Sequence, residues 1–353
     1  MDEAAFRRLI SGQRTGATAD VLRIALRTAS LAYGAAIGLR NALYESGLKR
    51  IHQADVPVIS VGNLTTGGTG KTPIVALVCR MLQQFGCSPG IISRGYRSVD
   101  GLANDEKHVL ALECPDVPHE QNPDRGEAAR TVVREHAVDV LVMDDGFQHR
   151  RLHRNLDIVL IDAMNPFGFR HLLPRGLLRE PLSAMRRADA ALITRSDLVS
   201  ESDLMAIQAT LLQTAPGLDG RILRVAFRPT GVLSVTRQRS ELSSVDDQPV
   251  FLMTGIGNPE AFAATCRRAG LQIAGSRWFA DHHHYSDSDL QAVHAEARLS
   301  GAVRIVTTLK DLVKLAQADE NIFALEIAAA FPIPGQHDKL CEWIRSAVSR
   351  KTD

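Results

Sequence analysis

The residues that gather the most chemistry into the smallest space are Gly67-Gly68-Thr69-Gly70-Lys71-Thr72. Glycines let a backbone curl until its N–H groups point inward at phosphate oxygens. A helix that starts at the end of the curl adds the positive end of its dipole. A lysine placed there reaches the β/γ-phosphates, and the Thr72 hydroxyl can ligate Mg²⁺. The strict spacing GxxxxGK[ST] would put glycine at 65, where this chain has Thr65. The run therefore reads as a variant P-loop with a shifted glycine pair. The competing reading is a glycine-rich turn that happens to end in Lys-Thr. Only seven of the 41 basic residues are lysines, and none falls between Lys107 and Lys310. A lysine inside a tight glycine loop thus stands out from the background.

Downstream, the apolar run Val138–Met143 delivers Asp144-Asp145. An apolar strand carrying an acid to the metal is the usual companion of a phosphate loop. The next residues, Gly146-Phe147-Gln148-His149, look like a site loop, although His149 could equally be a surface or supporting histidine. Asn104-Asp105-Glu106 offers two adjacent acids; such pairs are ordinarily solvated, and their functional reading is a general base with a metal-side carboxylate. In Asp281-His282-His283-His284-Tyr285, consecutive histidines point in different directions and rarely share one ion. A single histidine orienting a carboxylate base is more economical. Thr307-Thr308-Leu309-Lys310-Asp311 ends another apolar run and could be a plain helix start. Arg175 and Arg179 lie in the proline-bracketed segment Leu173–Pro181, suited to phosphate or sugar contacts. A structural ion pair with Glu180 is the alternative.

These groups need elements to hold them. Strands are expected at Val56–Val61, Pro89–Ser93, Val138–Met143, Asp157–Asp162 and Ala190–Thr194, with helices at Thr72–Phe85 and Arg125–His136. Apolar strands alternating with helices predict a parallel sheet covered on both faces, binding ligands beyond its strands' carboxyl ends. The polar clusters up to residue 195 sit at such ends. Residues 98–124 look irregular. Ile222–Pro229 and Thr230–Thr236 read as extended connectors. A second alternating series follows, at Gln248–Thr254, Pro259–Ala269, Gln272–Phe279, Ser288–Arg298 and Ile305–Thr308. The expected fold is α/β: a P-loop NTPase-like, mostly parallel sheet flanked by helices over 51–225, with a smaller α/β domain over 226–353.

The chain has 353 residues, 45% of them hydrophobic and 23% charged, with a formal net charge of +1. That excludes disorder and gives no global sign of nucleic-acid binding. Five scattered cysteines without a CxxC pair argue against a disulfide framework or structural zinc. Residues 1–50 carry a local excess of basic over acidic side chains. Their uncharged stretch Thr28–Leu39 is too short to span a bilayer, and no signal peptide precedes it. On these residues alone, an ordinary amphipathic helix packed on the domain is preferred to one lying in a membrane interface.

The run Ser60–Pro73, with its shifted glycine pair, resembles the tetraacyldisaccharide 4′-kinases of lipid A synthesis. So do Ser93-Arg94-Gly95-Tyr96-Arg97, Asp144–Arg150, Leu173–Pro181, Gly255-Ile256-Gly257-Asn258-Pro259, Phe279–His283 and Thr307–Asp311, in that order. The resemblance implies an ATP- and Mg²⁺-dependent kinase acting on the 4′-hydroxyl of an acylated disaccharide 1-phosphate. It implies that Thr65, Thr66, Gly67, Gly68, Thr69, Gly70, Lys71 and Thr72 hold the nucleotide. Thr72, Asp144, Asp145 and Glu106 would serve the metal, and Asp105, paired with His282, would be the base beside catalytic Lys71. Arg94, Tyr96, Gln148, His149, Arg175 and Arg179 would face the substrate. Asn104 stands where the family usually has glycine. The resemblance also turns residues 1–50 into a membrane-associating helical segment of a peripheral protein, on the cytoplasmic face of the inner membrane, working as a monomer. The rival readings are a P-loop ligase that activates a carboxylate and a non-catalytic, membrane-associated nucleotide switch.

Overall fold

The structure, a computed structural model, describes residues 3–95, 105–246, 248–315 and 321–349. The chain divides into two compact units. One comprises Met1–Gly95, Asp116–Val225 and Phe331–Asp353; the other Tyr96–Pro115 and Ala226–Ala330. The units are thus discontinuous, where the sequence suggested consecutive segments meeting near 226. The first recruits the last helix, Gln336–Ser349, and the second recruits Asp105–Glu113.

The first unit is built on β1 (Val58–Asn63), β2 (Pro89–Ser93), β3 (His119–Gln121), β4 (Val140–Asp144), β5 (Leu156–Asp162), β6 (Ala190–Thr194) and the start of β7 (Ile222–Ser234). They lie side by side as β7-β6-β5-β1-β4-β2-β3. Every pairing is parallel. β1, β2, β4, β5 and β6 are buried at every position, because each is a short apolar run with helices on both faces. Leu64, Phe147, Val159, Ile161 and Ile193 form one part of the core; Val58, Ile92, Leu141 and Met143 form another.

Two helices open the chain, α1 (Glu3–Ile10) and α2 (Ala17–Glu45). The buried residues of α2 are Ala19, Ser30 and Asn41. Four of its large apolar side chains face outward: Val21 is 66% exposed, Ile24 66%, Leu31 70% and Leu39 65%, while Leu26 and Ile37 are half-buried. At about 100° per residue those four fall within roughly 80° of one another, about half a turn from the buried three. The helix docks by polar bonds. Ser30 Oγ donates to Leu172 O at 2.9 Å, and Tyr33 Oη to Arg179 O at 2.8 Å. Glu180, fully buried, accepts from Arg40 at 2.7 Å, Asn41 at 3.1 Å and Arg187 at 2.8 Å. The packing of an apolar helix side onto the domain, preferred from the residues alone, is inverted. No described helix is long and apolar enough to cross a membrane.

In the second unit the order is β10-β9-β11-β12-β7-β8, where β8 is Arg239–Ser240, β9 Val250–Thr254, β10 Ile273–Trp278, β11 Arg304–Thr308 and β12 Ile322–Ala330. β9, β10, β11 and β12 run parallel, while β7 is antiparallel to β12 and β8. The two expected connectors are thus one long strand. Its core joins Phe251, Met253, Val293 and Ile305, with Val109 from Asp105–Glu113 packed in.

Candidate active site

In the first unit the β1–β4 register pairs Val61 with Asp144, so the glycine loop leaves the sheet beside the two aspartates. Helix α3 (Lys71–Gln84) begins directly behind Gly70, which is left-handed at φ 84°, ψ 31°. A side chain at 70 would strain that turn. Gly62 is needed for a different reason: a Cβ there would lie 2.7 Å from the backbone nitrogen of Phe147. The Gly146–His149 loop can therefore press against β1.

The glycine loop is braced from outside. Asn63 Nδ2 donates to Thr65 O at 2.7 Å, and Thr66 N to Leu177 O at 2.8 Å. Thr194 Oγ1 donates to Thr69 O, and Arg195 Nη2 to Gly68 O, each at 2.9 Å. Arg195 is itself held by Asp162 at 2.6 Å. With these carbonyls tied outward, the curl is fixed before any ligand arrives. Thr65, where the strict motif wants glycine, instead bridges to Leu178.

Asp145 joins this loop to the arginine segment. Its Oδ1 lies 3.5 Å from Lys71 Nζ, and its Oδ2 accepts from Arg179 Nη1 at 2.6 Å. Burial would raise its carboxyl, but Lys71 and Arg179 together hold it far below the usual carboxylate range. Gln148 fits between: its Nε2 donates to Asn63 O at 2.9 Å, and its Oε1 accepts from Arg179 at 3.4 Å. His149 is pushed down to about 4, first by burial and then by Arg125, so it is neutral at pH 7. Asp144 is buried at the end of β4. Thr72 lies in the first turn of α3.

Hydroxyl and carboxylate oxygens suit Mg²⁺, which commonly takes one or two carboxylates and completes its shell with phosphates and water. The donor chemistry of Thr72, Asp144 and Asp145 fits that ion. No group of three or more His, Cys, Asp or Glu able to hold a metal occurs among the described residues. Glu106, expected beside the metal, belongs to the second unit. Arg94 is exposed at the end of β2, and Tyr96 lies outside the described residues. Arg175 does not join the Asp145 cluster; its Nη1 donates to Ile10 O at 2.8 Å. Glu180 pairs with Arg40 and Arg187, so neither arginine of its own loop is its partner.

Sequence reasoning missed Arg125, which is buried at the start of its helix and raised by Asp145 and Asp144 against a larger lowering by burial. A signal was present: a cation at the positive end of a helix dipole needs an external reason.

The second unit brings Asp105 and His282 together. His282 Nδ1 is 3.3 Å from Asp105 Oδ2. Its Nε2 is 3.3 Å from Lys310 Nζ, which also meets Asp281 Oδ1 at 2.9 Å. An ammonium only donates, so Nε2 accepts, and the proton sits on Nδ1, directed at Asp105. Lys314, nearly buried, lies 3.4 Å from Asp105 Oδ2 and 3.2 Å from Asp311 Oδ1. Asp311 in turn accepts from Thr254 Oγ1 at 2.6 Å, Thr308 Oγ1 at 2.8 Å and Gly255 N at 3.1 Å. Burial, the largest influence on Asp105, would raise its carboxyl, but His282 and Lys314 outweigh it and keep it low. His283 does something else: it bonds Asp289 at 3.0 Å and stacks on Phe279. The Thr307–Asp311 strand end thus anchors Asp105 through Lys314, a partner that sequence reasoning missed.

The family model described as tetraacyldisaccharide-1-P 4′-kinase matches residues 22–349. A tetraacyldisaccharide 4′-kinase of Anaeromyxobacter dehalogenans (strain 2CP-C) is 39% identical over 323 residues, 87% of this chain and 85% of that protein. Another, of Desulfotalea psychrophila, is 37% identical over 300 residues, 80% of this chain and 85% of its own length. Among solved structures, LpxK from Aquifex aeolicus, an "apo" form in complex with ATP, superposes with a TM-score of 0.74 at 29% identity, covering 93% of this chain and 99% of that one. With the glycine loop, its acids and the Asp105–His282 pair in place, the chain belongs to the tetraacyldisaccharide-1-P 4′-kinase family.

Proposed function

We propose that the protein transfers the γ-phosphoryl group of ATP to the 4′-hydroxyl of tetraacyldisaccharide 1-phosphate, in lipid A biosynthesis. The observation that carries this reading is His282 Nδ1 standing 3.3 Å from Asp105 Oδ2, a carboxyl that His282 and Lys314 keep low against its burial. A base held charged and oriented is what an alcohol acceptor needs. A ligase activating a carboxylate, or a nucleotide switch, needs none. The hydroxyl oxygen forms the new bond to phosphorus, its proton passes to Asp105, and the bond to the ADP oxygen breaks.

In this reading Thr65–Thr72 cradle the phosphates, with Lys71 neutralising charge as ADP departs. Bound Mg²⁺, held by Thr72, Asp144 and Asp145, would neutralise further phosphate charge. Gln148, His149 and Arg179 face the substrate. The protein would work as a monomer on the cytoplasmic face of the inner membrane. The outward apolar stripe of α2 supports that placement, since such a stripe suits an acyl boundary.

The test is incubation with γ-labelled ATP and the lipid 1-phosphate, followed by chromatography. A labelled bisphosphate resistant to hydroxylamine is expected, and none from Lys71→Ala. A hydroxylamine-sensitive acyl phosphate, or hydrolysis with no labelled lipid, would overturn the proposal.

A further inference from the structure

Within the second unit, Lys310 and Lys314 stand four residues apart on the turn that opens with the short helix Leu309–Leu312. Backbone bonds from Val313 N to Leu309 O and from Lys314 N to Asp311 O, at 3.2 and 3.0 Å, carry that turn through Lys314. The spacing puts both lysines on one face. They meet the Asp105–His282 pair at opposite ends. Lys314 Nζ lies 3.4 Å from Asp105 Oδ2, and Lys310 Nζ 3.3 Å from His282 Nε2. Lys310 is placed in turn by Asp281 Oδ1 at 2.9 Å. Burial would raise the Asp281 carboxyl, but Lys310 outweighs it and keeps it low. The backbone of His282 is fixed as well. It is left-handed at φ 62°, uncommon outside glycine, and its N–H donates to Gly255 O at 3.2 Å. Gly255 N–H donates to the buried Asp311 at 3.1 Å. One turn of chain therefore sets the backbone behind the imidazole and the cation at each end of the pair.

A histidine orients a carboxylate only while its proton sits on the nitrogen that faces it. Lys310 enforces that by complementarity, because an ammonium has three donors and no acceptor. A hydrogen on Nε2 would point N–H at N–H. An imidazolium would also set one cation directly against another. With Nε2 taken as acceptor, Nδ1 keeps the hydrogen and directs it at Oδ2, the oxygen that Lys314 also approaches. Oδ1 has no partner among the described residues, so it is the oxygen open to a hydroxyl.

We propose that Lys310 is a positioning residue: held by Asp281, it locks His282 in the tautomer that donates from Nδ1, so that Oδ2 of Asp105 stays engaged and Oδ1 receives the proton of the acceptor hydroxyl. The acceptor's O–H bond breaks as Oδ1–H forms, and its electron pair makes the new bond to phosphorus. This role rests on the kinase reading above. Lys310 acts through His282 and not on the reacting atoms.

The experiment compares the full-length parent with Lys310→Met, Lys310→Arg, His282→Gln and the double variant Lys310→Met/His282→Gln, with thermal melts to report folding. Nitrogen-15 spectra of histidine-labelled protein read the tautomer, the His282 signals being those lost in His282→Gln. The parent should show a protonated Nδ1 and a bare Nε2, and in Lys310→Met the two forms should mix or reverse. In kinetics with ATP and tetraacyldisaccharide 1-phosphate, Lys310→Met should lower kcat about tenfold to hundredfold, the scale of losing a hydrogen bond to a charged group. KM for ATP should stay within about twofold. Lys310→Arg, which keeps charge and donors, should recover part. The double variant should lose no more than His282→Gln alone. Additive losses would put Lys310 on substrate or nucleotide directly and overturn the positioning role. A proton on Nε2 in the parent overturns it too, as does Lys310→Met with tautomer and kcat unchanged. Should Lys310→Met melt far below the parent, the parent spectrum and Lys310→Arg still decide. The spectra need no turnover, so a parent that phosphorylates no lipid refutes the kinase reading while the tautomer lock is judged separately.

Discussion

Asp105 is an acid whose neighbours were chosen by the fold over long sequence distances. His282 and Lys314 both reach Oδ2, the first from 177 residues further along the chain. Replacing Asp105 with Asn keeps size and hydrogen-bonding capacity but removes the proton acceptor. Asp105→Asn should lower kcat by about 10²–10⁴, the range general-base catalysis supplies. ATP affinity by calorimetry should stay within about twofold; a matched loss of nucleotide affinity would remove Asp105 from the base role. His149 gives a prediction in pH. Its native value near 4 lies below its ordinary 6.5, so the unfolded chain binds more protons between those limits. Stability is then fully present above pH 6.5 and is lost as pH falls toward 4. Urea denaturation of the parent should weaken across that window, and His149→Gln should flatten the slope there.

At the scale of elements, α2 is attached by polar groups and leaves its apolar side out. Glu180 is the anchor: buried, and shared by Arg40, Asn41 and Arg187. Glu180→Gln leaves two arginines without their counter-charge and should cost about 3–5 kcal/mol in chemical denaturation. The outer face answers to a different measurement. Val21→Ser, Ile24→Ser and Leu31→Ser combined should reduce binding to anionic vesicles at least tenfold without lowering the melting temperature. A fall in melting temperature of several degrees would instead mean those side chains pack on the protein. The sequence pattern could not show this inversion. Helical periodicity marks an apolar face but carries no statement of which side meets the domain; the bonds of Ser30 and Asn41 decided it.

Across the whole molecule, what was readable was local. β2, β6 and Arg125–His136 fall on their expected bounds, since each is a short run whose apolar or capped character is complete within itself. β7 was read as two connectors because Pro229 and Gly231 punctuate it. In the structure Pro229 meets a shift in register against β12, where a missing N–H is tolerated. β12 itself, IFALEIAAA, passed unread, its alanines and Leu-Glu favouring helix over strand until β11 and β7 bracket it. The glycine loop and its acids were readable because spacing alone defines them. Lys314 and Arg125 were harder to read, because the site acids they face, Asp105 for the one and Asp144 and Asp145 for the other, lie far from them in sequence. The discontinuous units could not be read at all: they follow from which segments share a core.

That discontinuity bears on how the protein is made. Helix Gln336–Ser349 packs Leu340, Ile344 and Ala347 against α3, β1 and β5, the elements that hold the glycine loop. Ile344→Ala should cost about 2–5 kcal/mol and weaken nucleotide binding, although no atom of that side chain need approach a phosphate. Denaturation and ATP titration together check it. During translation the apolar ridge of α2 leaves the ribosome long before this closing helix. On the proposed seating of α2 in an acyl boundary, a nascent chain can meet lipid while its nucleotide-holding half still lacks one wall. On that proposal attachment can precede competence, and a polypeptide stalled late in synthesis would reach the bilayer yet be unable to grip its phosphoryl donor.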